Sequence, residues 1–186
     1  MLFARMLSPV TTLGPGRRVT IWTQGCSKNC KGCISPEMQS FDEKKNVPAE
    51  LLANLIIDES ACNNCYGLTI SGGDPLEQPE ELEKLLSIVR DSFEDILVYT
   101  GYRIEEIERD DIKKECLKYI DVLVDGRYEE SLNSGKTVLT GSDNQRVIFL
   151  NPLMEEKYKS YMEGKRSVEP FMVDGKLILV GILKGE

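Results

Sequence analysis

The amino-acid sequence predicts an α/β protein, organised as a partial, open parallel β/α barrel of five or six units. Three observations carry this expectation. Short β-branched runs alternate with helical stretches, the order that produces parallel sheets. Turn glycines follow the strand runs at Gly25, Gly72, Gly101 and Gly126, at the strand ends where parallel α/β folds gather their ligands. The chain has 186 residues, whereas a closed eight-unit barrel takes roughly 250.

The elements follow in order. Val19–Gln24 (VTIWTQ) is apolar and β-branched and leads into a cysteine-containing loop, so it reads as a strand. Pro48–Ser60 (PAELLANLIIDES) opens on proline and spaces its apolar residues as a helix does. Tyr66–Ser71 (YGLTIS) is a strand stopped by Gly72-Gly73. Gln78–Asp91 is an amphipathic helix with Leu82, Leu85, Leu86 and Val89 on one face. Ile96–Thr100 (ILVYT) is a strand closed by Gly101, and Ile104–Tyr119 a charged helix broken near Asp110. Ile120–Val124 and Gln145–Leu150 supply two more strands. Residues 1–150 thus form the core. Residues 151–186 form an extension, either part of the same domain or a small appendage: a helical MEEKYKSYMEG, then two strands around Asp174-Gly175, the dipeptide of a type I′ β-hairpin.

Composition narrows the function. Hydrophobic residues make up 41% and charged residues 29%, as in ordinary soluble domains. The formal charge of −8 repels phosphate backbones and disfavours nucleic acid as a partner. No apolar run approaches the roughly 20 residues that span a bilayer, so no membrane is expected. The opening MLFARMLSPVTTLGPG carries an arginine and lacks a long apolar core, so it does not read as a signal peptide. Six cysteines without an export signal point to a reducing, cytoplasmic setting, in which thiols bind metal or react. Histidine is absent, which excludes Ser–His and Cys–His catalysis and every His-ligated metal site.

The chemistry is concentrated in Cys26, Cys30 and Cys33, spaced C-x3-C-x2-C in the run CSKNCKGC. A structural zinc site closes four ligands, and a cubane iron–sulfur cluster usually takes four thiolates. Three on one tight loop imply a [4Fe–4S] cluster with one iron left open for a small molecule. Gly72-Gly73-Asp74-Pro75 follows the next strand. Its plain reading is a strand-to-helix turn with Asp74 as cap. Its functional reading is close backbone approach to a ligand, with carbonyls or Asp74 accepting from an ammonium group. Val98–Tyr102 and Asp125–Tyr128 close two further strands, and Asn144 and Gln145 carry amides able to donate to a carboxylate or an adenine edge. Cys62, Cys65 and Cys116 read as incidental thiols, a redox-sensitive pair or a second cluster.

Six blocks, in this order between Gly14 and Leu150, carry a resemblance: GPG, VTIWTQGCSKNCKGC, LTISGGDPLEQPEEL, LVYTGYRIEEI, IDVLVDGRY and GSDNQR. They resemble the anaerobic ribonucleoside-triphosphate reductase-activating protein family. These are small radical S-adenosylmethionine (SAM) activases related to the pyruvate formate-lyase activating enzyme. The resemblance implies that Cys26, Cys30 and Cys33 ligate three irons of a [4Fe–4S] cluster, and that the fourth iron chelates the amine and carboxylate of SAM. Gly72, Gly73 and Asp74 match the SAM-amine motif, and Thr100 and Gly101 the strand end near the ribose. It further implies a low-potential electron donor such as flavodoxin or ferredoxin. The partner it implies is a glycyl-radical enzyme such as anaerobic ribonucleotide reductase.

Two features depart from the compact activase pattern. Gly32 and Ile34 flank Cys33 where aromatic residues are frequent, which shifts adenine packing to Trp22, Tyr99 or Tyr102. The extension from Asn151 lacks a clear counterpart, and the whole layout, extension included, also resembles standalone 4Fe-4S single cluster radical SAM proteins. The alternatives are therefore a standalone enzyme modifying a peptide or small molecule and, in a different class, a non-catalytic iron–sulfur electron carrier. The carrier would recruit Cys62 or Cys65 as a fourth ligand.

Overall fold

A computed structural model describes residues 1–182. Six strands form one sheet in the order β1-β2-β3-β4-β5-β6. They are β1 (Phe3–Val10), β2 (Arg18–Thr23), β3 (Gly67–Gly72), β4 (Asp95–Tyr99), β5 (Val122–Asp125) and β6 (Arg146–Phe149). The four central strands are parallel, and β1 and β6 pair antiparallel at the two edges. The five or six parallel units expected from the sequence are thus four parallel strands between antiparallel edges. The strand β1 has no counterpart among the strands that the sequence predicts. Its Ser8-Pro9 and the irregular pairing between Leu7 and Val10 are tolerated because proline suits an edge strand or a bulge.

The connecting helices match their sequence signals. α1 (Ala49–Asn63) starts after Pro48 and ends at Asn64 in the left-handed conformation. α2 (Pro79–Val89) buries Leu82, Leu85, Leu86 and Val89. The expected break at Asp110 separates α3 (Ile104–Ile107) from α4 (Asp111–Cys116), and the Asp110 carboxylate caps α4 by accepting from the Ile112 and Lys113 N–H groups. These helices lie on one face of the sheet, where Val19, Ile21, Leu68, Ile70, Ile96 and Val98 join the main core. The period-2 alternation of strands sends Arg18, Thr20 and Trp22 of β2 to the opposite face.

That opposite face carries the extension. α5 (Glu155–Met162) buries Tyr158 among Leu97, Val122, Val124 and Leu139. There the fully buried Arg18–Asp95 ion pair (3.0 Å) takes further bonds from Thr69, which accepts from Arg18 Nε, and from the Tyr158 hydroxyl, which donates to Asp95. The predicted hairpin is β7 (Val168–Val173) and β8 (Lys176–Gly181). Its two-residue turn has positive φ at both Asp174 and Gly175, as a type I′ turn requires. Phe171, Ile178 and Val180 pack it against Val10, Leu13 and Trp22. Among the described residues no helix is long and apolar enough to cross a membrane.

Candidate metal and cofactor site

A cavity of about 460 Å³ opens at the carboxyl ends of the parallel strands, within the roughly 300–1,000 Å³ range of small-molecule sites. It brings together the eight residues matched to the cluster and SAM motifs: Cys26, Cys30, Cys33, Gly72, Gly73, Asp74, Thr100 and Gly101.

The cysteine loop is held by backbone bonds on two sides. Gly25 N–H donates to Met38 O (2.8 Å) and Cys26 N–H to Gln39 O (2.9 Å), while Gly73 N–H donates to Thr23 O and Asp74 N–H to Gly25 O, both at 2.9 Å. These contacts explain the glycine pair. A Cβ on Gly72 (φ +114°) would stand 2.3 Å from the Thr23 nitrogen, and one on Gly73 2.3 Å from the Gly25 oxygen. The glycines therefore let the chain pack against its own cysteine loop, and both still line the cavity.

Asp74 combines its two sequence readings in an unexpected way. Its carboxylate is 1% exposed. It accepts from Leu76 N–H as a cap, from the Thr100 hydroxyl (2.8 Å) and from Gly101 N–H (2.9 Å). It clamps the ends of β3 and β4 together and has little capacity left for a ligand's ammonium. Burial pushes its pKa up to about 6, against the opposing pull of the Gly101 and Thr100 bonds and of Lys28.

A second clamp was not legible in the sequence. Lys28, inside the cysteine loop, pairs with Glu77 at 2.9 Å, with side chains 6% and 13% exposed. Its Nζ lies 3.3 Å from the centre of the Tyr102 ring, a cation–π contact. Glu77 also accepts from the Ser27 and Tyr102 hydroxyls. Burial alone would raise the Glu77 pKa, but the Lys28 and Ser27 bonds hold it below the ordinary value. Tyr102 is thereby committed to this clamp, whereas Trp22 and Tyr99 line the cavity. The amides of Asn144 and Gln145 are also committed, donating to the carbonyls of Arg127 and Gly126 (both 2.8 Å).

The donor set fits an open iron–sulfur cluster. The three thiols are partly exposed on the cavity wall, and burial raises the pKa of Cys26 and Cys30. Among the described residues no three His, Cys, Asp or Glu side chains are grouped to hold a single metal ion. A cubane binds each thiolate to a different iron, so its ligands stand farther apart than those of one ion. No fourth thiol lines the cavity. Cys65 is buried in the helix-side core just ahead of β3, a strand that spans roughly 20 Å before reaching the cavity. Cys116 donates to Pro79 O (3.3 Å) in the same core, where burial raises its pKa to about 12. Cys62 is exposed on α1.

Sequence comparison places the chain in a family. Residues 12–148 match the 4Fe-4S single cluster domain. The chain is 37% identical over 142 residues to the anaerobic ribonucleoside-triphosphate reductase-activating protein of Enterobacteria phage T4, covering 72% of this chain and 85% of that protein. The proteins of the same name from Pasteurella multocida and Haemophilus influenzae are 36% and 34% identical, each over 72% of this chain and 88% of the relative. The chain belongs to the 4Fe-4S single cluster domain family, as a relative of the anaerobic ribonucleoside-triphosphate reductase-activating proteins.

Proposed function

We propose that this protein is a radical SAM activase that installs a glycyl radical on anaerobic ribonucleotide reductase. The observation that carries this reading is three thiols from one loop on the wall of a single cavity that no fourth thiol lines. Cys26, Cys30 and Cys33 would hold a [4Fe–4S] cluster. Bound there, such a cluster would supply the low-potential electron, drawn from a donor such as flavodoxin or ferredoxin, for reductive cleavage of SAM to methionine and a 5′-deoxyadenosyl radical.

The chain's own residues bind, orient and exclude. Trp22 and Tyr99 offer aromatic faces to an adenine. The Asp74 clamp ties the Gly72–Gly73 backbone to the Thr100–Gly101 turn on the cavity wall, so these segments stay in place when the ligand enters. The amine of SAM would meet backbone carbonyls there in preference to the committed carboxylate. The Lys28–Glu77 pair holds the cysteine loop against the same wall. An open sheet with antiparallel edges leaves one side through which a protein loop can present its glycine. The partial-barrel reading of the sheet belongs with this proposal, since it describes how that side stays open.

A second reading is favoured by one observation: β8 residues form part of the cavity wall, narrowing it as a site for a peptide or small molecule would be narrowed. The separating experiment incubates the cluster-loaded protein with SAM, reductant and the reductase under electron paramagnetic resonance. A glycine-centred doublet on the reductase is expected. SAM cleavage without that doublet, with another substrate turned over, would assign the standalone modifying enzyme.

A further inference from the structure

The hairpin lies beyond the segment that matches the family, residues 12–148, and its two faces are both apolar. One face, with Phe171, Ile178 and Val180, packs on the body of the protein. The other presents Val168, Pro170 and Met172 from β7 and Leu177 and Leu179 from β8. Pro170 stands opposite Leu179, and Met172 opposite Leu177, so these side chains form one contiguous surface. Met172 is 69% exposed and Leu177 62%. A two-stranded antiparallel ribbon with one packed face ordinarily turns polar residues to water on the other. Here the solvent face holds apolar residues on a chain whose formal charge is −8, the mark of an interaction surface.

The position of this surface identifies its occupant. Leu177 and Leu179 also line the cavity, as does Ile34, which follows Cys33 and is 63% exposed. The apolar surface and the cavity wall are therefore continuous. A small substrate held inside the cavity would leave Met172 and Val168 in water. A polypeptide that must insert one residue into the cavity would lie across them. We propose that the outward face of the β7–β8 hairpin, continued by Ile34, is the docking surface for an extended, apolar-flanked loop of the protein substrate. This rests on the reading of the chain as an activase of anaerobic ribonucleotide reductase.

The hairpin is fixed well enough to serve as a platform. Glu169, on its inner face, accepts from Thr11 N–H (2.9 Å), the Thr11 hydroxyl (2.6 Å) and the Thr12 hydroxyl (3.1 Å), and the Thr12 hydroxyl also reaches Val180 O (3.2 Å). These bonds tie both strands to the end of β1. The docking face thus stays preorganised, which lowers the ordering cost of binding.

The test measures binding of the full chain to the reductase with Met172→Glu and with the control Leu153→Glu. Leu153 is 83% exposed in the turn that precedes α5, and belongs neither to the hairpin nor to the cavity lining. Both substitutions add one negative charge to a water-facing site, so both variants should melt as the unsubstituted protein does. Met172→Glu is expected to weaken binding roughly tenfold or more, as for an interface anchor, and Leu153→Glu less than twofold. Equal affinity for the unsubstituted protein and Met172→Glu would overturn the docking face and leave the activase reading standing. Absence of binding by the unsubstituted protein would overturn the choice of partner, and the docking proposal with it. Sedimentation of the chain alone supplies the remaining arm: self-association abolished by Met172→Glu would reassign the face to a second copy and overturn the proposal.

Discussion

Single residues divide the six cysteines by role. The thiols of Cys26, Cys30 and Cys33 share one cavity wall, while Cys65 and Cys116 are core residues. Changing any of the first three to Ala should abolish the cluster after anaerobic reconstitution, judged by iron content and absorbance. Cys62→Ala, Cys65→Ala and Cys116→Ala should load iron as the unsubstituted chain does. A carrier whose cluster takes four thiolates of this chain would lose iron in at least one of these three. Asp74 gives a second prediction through its raised pKa of about 6. A carboxyl raised on folding stabilises the native state below its ordinary pKa of about 4, and this contribution is lost as pH rises through the folded value. Asp74→Asn removes that dependence. In cluster-free protein the stability of the Asn variant relative to the unsubstituted chain should rise by about 3 kcal/mol from pH 4 to pH 7, read by denaturant unfolding at each pH. A flat difference would mean that the carboxylate is not desolvated. The sequence located this residue because a turn after a strand is local. It could not reveal that the carboxylate is used internally, since Thr100 and Gly101 meet it only through the parallel pairing of β3 and β4.

At the scale of elements, the loops at the strand ends behave as one assembly because side chains bridge them. Glu77, in the turn after β3, receives Ser27 and Lys28 from the loop after β2 and Tyr102 from the loop after β4. Glu77→Ala leaves the Lys28 ammonium buried without its partner, which should cost about 3 kcal/mol, the low end for breaking a buried pair. Glu77→Gln keeps an acceptor oxygen and should cost roughly half as much. Urea unfolding of both variants measures this, and equal losses would show that the charge contributes nothing. The same contrast between local and distant information separates legible from illegible elements. The helices and central strands were readable from periodicity, proline and glycine, and the hairpin from Asp174-Gly175. The edge strand β1 was not, because Ser8-Pro9 interrupts its pattern and its partner is the strand that follows a loop rich in glycine. The expected five or six parallel units exceed the four parallel strands because β6 has the composition of an interior strand yet pairs antiparallel at the edge. Its antiparallel direction follows from the path of the loop between Gly126 and Gln145, which no short-range signal encodes.

For the whole molecule, the extension completes the body of the protein on the face opposite the helices. Tyr158 is fully buried, donates to Asp95 of the Arg18–Asp95 pair, and meets Phe149 edge-on with ring centroids 6.2 Å apart. Asn151 donates to Asp121 (2.8 Å), and Arg166 reaches the carbonyls of Thr137 (2.6 Å) and Thr140 (2.8 Å), pinning the loop that ends at the cavity. Removing residues 151–186 would expose a buried ion pair and the apolar residues around it. A buried charge pair opened to water on one side loses the packing that justified its desolvation, and a lost aromatic side chain of this burial costs about 3–5 kcal/mol by itself. That is a large share of the roughly 5–15 kcal/mol that stabilises a domain. A chain ending at Leu150 should therefore show no cooperative unfolding transition. A chain ending at Ser167 keeps α5 and Arg166 and loses only the hairpin, uncovering Val10, Leu13 and Trp22. It should still fold cooperatively, at a lower melting temperature. Tyr158→Ala in the full chain distinguishes loss of the buried tyrosine from loss of chain length, and should lower stability by about 3–5 kcal/mol. If the chain ending at Leu150 melts as the full chain does, residues 151–186 are an appendage, and the activase-like core is stable without them.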